Sequence, residues 1–102
     1  MSTLHIINTS STSSSSLQSC LRGIQKDSAV ILIEDAVIIA KEEGQSDQQI
    51  KNTLQKLNWF VLEPDLKARG IKTEDIIEGI KPVNYQAFVK LAVKYDRTQT
   101  WS

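Results

Sequence analysis

Short apolar runs recur along this chain, separated by longer mixed stretches. The first is Leu4, Ile6 and Ile7, rich in β-branched residues. It ends in Asn8 and an unbroken Ser/Thr tract from Thr9 to Ser16, so a strand followed by a loop is expected. Leu17, Cys20, Leu21 and Ile24 then fall three and four residues apart, which predicts one apolar face of a helix. The last serine of the tract can cap that helix, and Gly23 weakens its end. Ala29 to Ile33 is solidly apolar with no alternation. Such a run suits a strand buried on both faces, as in a parallel sheet between helices.

The pattern continues in the same alternation. Asp35 to Glu43 is expected as a helix ending at Gly44. Ser46-Asp47 opens another, with Ile50, Leu54 and Leu57 on one face. Trp59 to Leu62 is the next apolar strand. Glu63-Pro64-Asp65 begins a short helix, where Pro64 has no N–H to lose, and Gly70 stops it. Thr73 to Glu78 adds a turn or two before Gly79. Ile80 to Val83 reads as a weak strand, and Pro82 restricts it to an open edge or a bulge. Asn84 caps a last helix whose Tyr85, Phe88, Val89, Ala92 and Tyr95 keep one side apolar. Thr98 to Trp101 suits a short edge strand. Connections of roughly a dozen residues or more suit crossovers between parallel strands, not hairpins. The expected fold is a small three-layer α/β sandwich with a mainly parallel sheet of four or five strands, wound as in flavodoxin.

Length and charge narrow the function classes. The chain has 102 residues, enough for a single domain over 1–102. Twelve basic residues balance twelve acidic ones, which argues against an electrostatic nucleic-acid binder. One cysteine makes no internal disulfide, and one histidine beside it makes no closed zinc site without carboxylates, so no metal or cofactor is expected. No apolar run approaches the roughly 20 residues of a membrane span, and no signal peptide is legible at the start. Asn8-Thr9-Ser10 fits a glycosylation sequon, which has no meaning without secretion. A reduced cytoplasmic setting is the expectation.

Few residues offer chemistry. Cys20 is the one nucleophile of note. It reads as a sulfur carrier near a helix start, or as a small core residue beside Leu17, Leu21 and Ile24; spacing favours the core. The Thr9–Ser16 loop follows the first strand, where wound sheets bind ligands, but it lacks the glycines of a phosphate cradle. His5 reads as a packed, hydrogen-bonded histidine. Glu34 and Asp35 end a strand, where carboxylates can act as acid and base; a helix start is the favoured reading. Lys67, Arg69 and Lys72 read as a solvated face. Trp59, Tyr95 and Trp101 signal burial, and Trp101 predicts a docked tail. No catalytic constellation emerges.

The segment Phe60-Val-Leu-Glu-Pro-Asp-Leu-Lys-Ala-Arg-Gly-Ile71 resembles the TusB/DsrH family. Asn84-Tyr85-Gln-Ala-Phe88-Val-Lys-Leu91, Gln99-Thr-Trp101, Leu4-His5, Ser19-Cys20-Leu21 and Glu34-Asp35 agree with it. The likeness runs from about Leu4 to Trp101, and Ala36 stands where the family commonly has Gly. The resemblance implies a subunit of the TusBCD or DsrEFH sulfur-relay complexes. These are hetero-hexamers of three related α/β subunits that pass persulfide sulfur along cysteines. TusC/DsrF-like and TusD/DsrE-like subunits would then be its partners, with a homo-oligomer open to the isolated chain. The Tus relay leads to 2-thiolation of the tRNA wobble uridine, the Dsr relay to sulfur oxidation. The family's main carrier cysteine lies on another subunit, which implies a non-catalytic or assisting role here. Cys20 matches the position where DsrH types have a cysteine and TusB types commonly have none. A stand-alone protein-interaction domain is the alternative outside sulfur chemistry.

Overall fold

The computed structural model describes residues 2–9, 20–22, 24, 27–42, 44 and 47–101. Its frame is a five-stranded sheet formed by β1 (Thr3–Ile7), β2 (Ala29–Leu32), β3 (Asn58–Leu62), β4 (Ile80–Val83) and β5 (Arg97–Trp101). The strand order is β4-β3-β2-β1-β5 and every pairing is parallel. In the register, Ile6 stands beside Ile31, Ile31 beside Phe60, and Phe60 beside Lys81. The central strand β2 is buried along its whole length, as its unbroken apolar run requires. Pro82 lies on β4, one of the two edges, where a missing N–H costs no central ladder bond.

The α/β class and parallel sheet are as expected, but the winding reverses elsewhere. A flavodoxin-like order puts β2 outside β1. Here β2 lies inside, and β5 takes the outer place. The first three crossovers step in one direction, and their described residues pack on one face. The fourth steps back and packs on the other, the arrangement that lets both directions keep one handedness.

The two faces carry separate cores. On the first, Ile7, Val30, Leu32, Trp59 and Val61 pack with Cys20, Ala36, Val37, Ala40, Ile50 and Leu66. These come from a helical turn at Cys20–Arg22, a 3₁₀ segment Glu34–Ala40, helix α1 (Asp47–Lys51) and helix α2 (Glu63–Ala68). On the second face, Leu4, Ala29 and Ile31 meet helix α3 (Tyr85–Lys94) through Phe88, Leu91 and Ala92, and Tyr95 follows on. That helix is the only one on this face among the described residues.

Local signals settle several ends. The Asn84 side chain accepts from the Ala87 N–H at 2.8 Å, the expected cap. After α2 the N–H groups of Gly70 and Ile71 donate to Lys67 and Leu66 carbonyls, and Gly70 has φ +69°, a left-handed stop that glycine adopts without strain. Two helix expectations shorten. The 35–43 helix is the 3₁₀ segment Glu34–Ala40, and the 46–57 helix is α1 followed by hydrogen-bonded turns. A third, over 73–78, is a single 3₁₀ turn Thr73–Asp75. The backbone explains the first. The Ile77 and Glu42 N–H groups donate to Ala40 and Asp75 carbonyls at 2.8 Å, so this stretch ties itself to the 75–77 turn instead of extending its own helix. The Ser16 cap, Gly23 and residues 10–16 of the Ser/Thr tract lie outside the described residues.

Candidate functional site

Cys20 sits in the helical turn that returns from β1, and its side chain is buried at 1% exposure. The core place that spacing favours is the one it takes: Cys20 lies within the first-face cluster together with Ile7, Leu32, Ala36 and Val37. Burial pushes the thiol up to about 12, since a thiolate has no water or cation to stabilise it there. The next residue, Leu21, reaches the surface. With Ile24, Thr53, Gln55, Lys56 and Leu57 it lines a groove of about 430 Å³. The groove rests on an ordered support: Trp59 Nε1 donates to Thr53 Oγ1 at 2.8 Å, and that hydroxyl donates to the Ile50 carbonyl.

His5 shares the same side of the sheet. Its Nδ1 accepts from Trp101 Nε1 at 3.1 Å, and its ring is 7% exposed. The arrangement fixes the neutral imidazole with the proton on Nε2. Burial lowers its pKa from the usual 6.5. The expected hydrogen-bonded histidine and the expected docking of Trp101 are thus one contact. At the carboxyl end of β1 the side-chain oxygens of Asn8 and Thr9 are buried, with no hydrogen-bond partner among the described residues.

Glu34, Asp35, Asp65 and Arg69 meet at the carboxyl ends of β2 and β3. The Glu34 N–H donates to Asp65 Oδ2 at 2.6 Å. Arg69 donates through Nε and Nη2 to Asp35 Oδ1 at 3.1 and 2.7 Å, and through Nη1 to the Asp65 carbonyl at 3.2 Å. Glu34 adopts φ +52°, a left-handed turn unusual for a side chain larger than glycine. The carboxylates are thus a 3₁₀ start tied down by an arginine, the helix-start reading rather than an acid–base pair. Sequence reasoning placed Arg69 on a solvated face. Its partners lie 34 residues away for Asp35, so no local pattern marks the clamp. Lys67 reaches Glu63 within the same helix at 3.8 Å, as a solvated face would. Among the described residues no group of three or more His, Cys, Asp and Glu side chains could hold a metal, and no helix is long and apolar enough to cross a membrane.

Comparison with known proteins adds a lineage to this geometry. The MTH1491 protein of Methanobacterium thermoautotrophicum, solved as a protein of unknown function, superposes with a TM-score of 0.79 over 97% of both chains at 13% identity. The ychN protein of E. coli gives 0.72 over 99% of this chain and 100% of its own, at 22% identity. At those identities the likeness is one of fold. In sequence, Protein TusB of Pectobacterium carotovorum is 33% identical over 83% of this chain and 86% of its own. Protein TusB of Shigella flexneri is 31% identical over 79% and 82%. The family model described as DsrH like protein matches residues 9–98, a span from the carboxyl end of β1 into β5 that takes in Cys20 and the Asp35–Arg69 clamp; the chain belongs to the DsrH-like family.

Proposed function

We propose that this chain is a subunit of a cytoplasmic sulfur-relay complex, assisting the transfer of persulfide sulfur toward 2-thiolation of the tRNA wobble uridine. The observation that carries the reading is its membership of the DsrH-like family, with Protein TusB relatives matching about four-fifths of the chain. The partners are TusC/DsrF-like and TusD/DsrE-like subunits, in a hetero-hexamer. A buried thiol and the lack, among the described residues, of an acid–base pair at the carboxyl ends of the strands support an assisting role rather than independent catalysis. Where Cys20 does take sulfur, its thiolate attacks the outer sulfur of a donor persulfide. The donor's S–S bond breaks, and the donor leaves as a thiolate. Burial requires that residues 20–22 first move to expose the thiol.

Cys20 itself favours a second reading, a DsrH-type subunit in sulfur oxidation, because the family's TusB types commonly lack this cysteine. One experiment separates the two. Deleting the gene in its native host should lower wobble-uridine 2-thiolation, read by mass spectrometry of digested tRNA. Unchanged thiolation with impaired oxidation of stored sulfur establishes the second reading and overturns the first. Unchanged behaviour in both overturns the relay assignment.

A further inference from the structure

Helix α3 has four rows of residues spaced by four, and each row has its own environment. Leu91–Tyr95 and Phe88–Ala92 face the sheet and pack on Leu4, Ala29 and Ile31. Tyr85–Val89–Val93 forms the third row and faces solvent, with exposures of 57%, 63% and 80%. Gln86–Lys90–Lys94 forms the fourth, directly beside it. A helix covering a sheet needs one apolar stripe, and α3 has two. Around it the second sheet face is thinly covered: Ile6, Ile33, Phe60 and Val83 remain only partly buried. Three large apolar side chains in line make an exposed apolar strip bordered on one side by lysines. Single exposed apolar residues are ordinary, but aligned ones mark contact surfaces.

The charge on this surface selects its occupant. Helix α3 has no acidic residue, and no ion pair among the described residues involves Lys90 or Lys94. Asp96, the nearest acid past the helix end, already accepts from the Ser2 N–H at 3.1 Å. A second copy docked antiparallel about a two-fold axis on the Tyr85 row would bring the lysine rows of both helices to one seam, with no carboxylate on either helix to offset them. We propose that the Tyr85–Val89–Val93 row of α3 seats a different subunit of the relay complex, one whose matching surface is an apolar strip bordered by Asp or Glu. The proposal rests on the relay reading above and adds the surface and the chemistry of the partner's side.

The test uses the full chain co-produced with the TusC/DsrF-like and TusD/DsrE-like subunits of the same genome, with assembly read by sedimentation. Val93 is exposed enough that V93E leaves the fold intact, which circular dichroism of the isolated chain confirms; V89E is the second variant. Either should weaken association at least tenfold. The double variant K90E/K94E should weaken it several-fold at low salt, and the difference should shrink at high salt as screening removes the charge term. Normal assembly of V89E and V93E overturns the surface while leaving the relay reading standing. Failure of the wild-type chain to assemble with either subunit overturns both. A homodimer of the wild-type chain abolished by V93E makes a second copy the occupant and overturns the heterologous partner.

Discussion

At the scale of single residues, two buried groups set measurable chemistry. With its thiol pushed up to about 12, Cys20 is held as the protonated thiol at pH 7. Reaction with a small disulfide reagent should therefore be at least 100-fold slower in the folded chain than in denaturant. Equal rates would mean that the turn at Cys20–Arg22 opens freely. Cys20→Ser should preserve folding and assembly and reduce sulfur transfer only in part; complete loss would make the thiol an obligatory carrier. His5 gives a pH signature. Its folded pKa lies below 6.5, so the unfolded chain binds its proton more readily. The stability it supports is present above about pH 6.5 and is lost as pH falls through the lowered folded value. Protonated Nδ1 also has no lone pair left for Trp101. Thermal melts from pH 8 to 5 should show a fall in the wild type that is smaller in His5→Gln, whose side-chain oxygen can still accept from the indole. Parallel curves would exclude His5 as the cause.

Among elements, legibility in the sequence followed the range of the forces involved. Asn84, Gly70 and Pro82 announce their places because a cap, a left-handed stop and a missing donor are local matters. The runs Ala29–Ile33 and Trp59–Leu62 announce parallel strands because burial on both faces leaves no polar alternation. The stretch 34–40 misled. Its Ala-Val-Ile-Ile-Ala core suits a longer helix by polarity alone, yet at its end Ala40 and Glu42 bond to residues 75–77, which no local window contains. The same holds for the candidate site. A hydrogen-bonded His5 was legible, but not its partner 96 residues away, nor the bond from Arg69 to Asp35. Two measurements probe these elements. Asn84→Ala should cost α3 about 1 kcal/mol, read as a shift in urea midpoint without a change of slope. At Glu34, where φ is +52°, Gly should leave stability within about 0.5 kcal/mol, whereas Val, stiff at its branched Cβ, should lose about 1–2 kcal/mol. Equal effects of the two would show that the turn relaxes instead of holding its angle.

For the molecule as a whole, the sheet is the common wall of two cores, and β2 is its centre. Leu32 is fully buried on the larger core, so Leu32→Ala should cost about 2–5 kcal/mol in chemical denaturation. A loss below about 1 kcal/mol would deny β2 its central place. The pairing of β1 with β5, Leu4 beside Thr98 and Ile7 beside Trp101, also bears on how the protein is made. Strand β1 leaves the ribosome first, and its partner on the outer side is the last strand of the sheet to appear. Throughout synthesis β1 presents a row of unsatisfied amides and carbonyls, followed by a Ser/Thr tract that itself has little tendency to aggregate. Nascent chains are therefore open to invasion along that edge, by each other's β5 or by a chaperone, until residue 101 has emerged. A premature stop before Arg97 would leave that opening permanent.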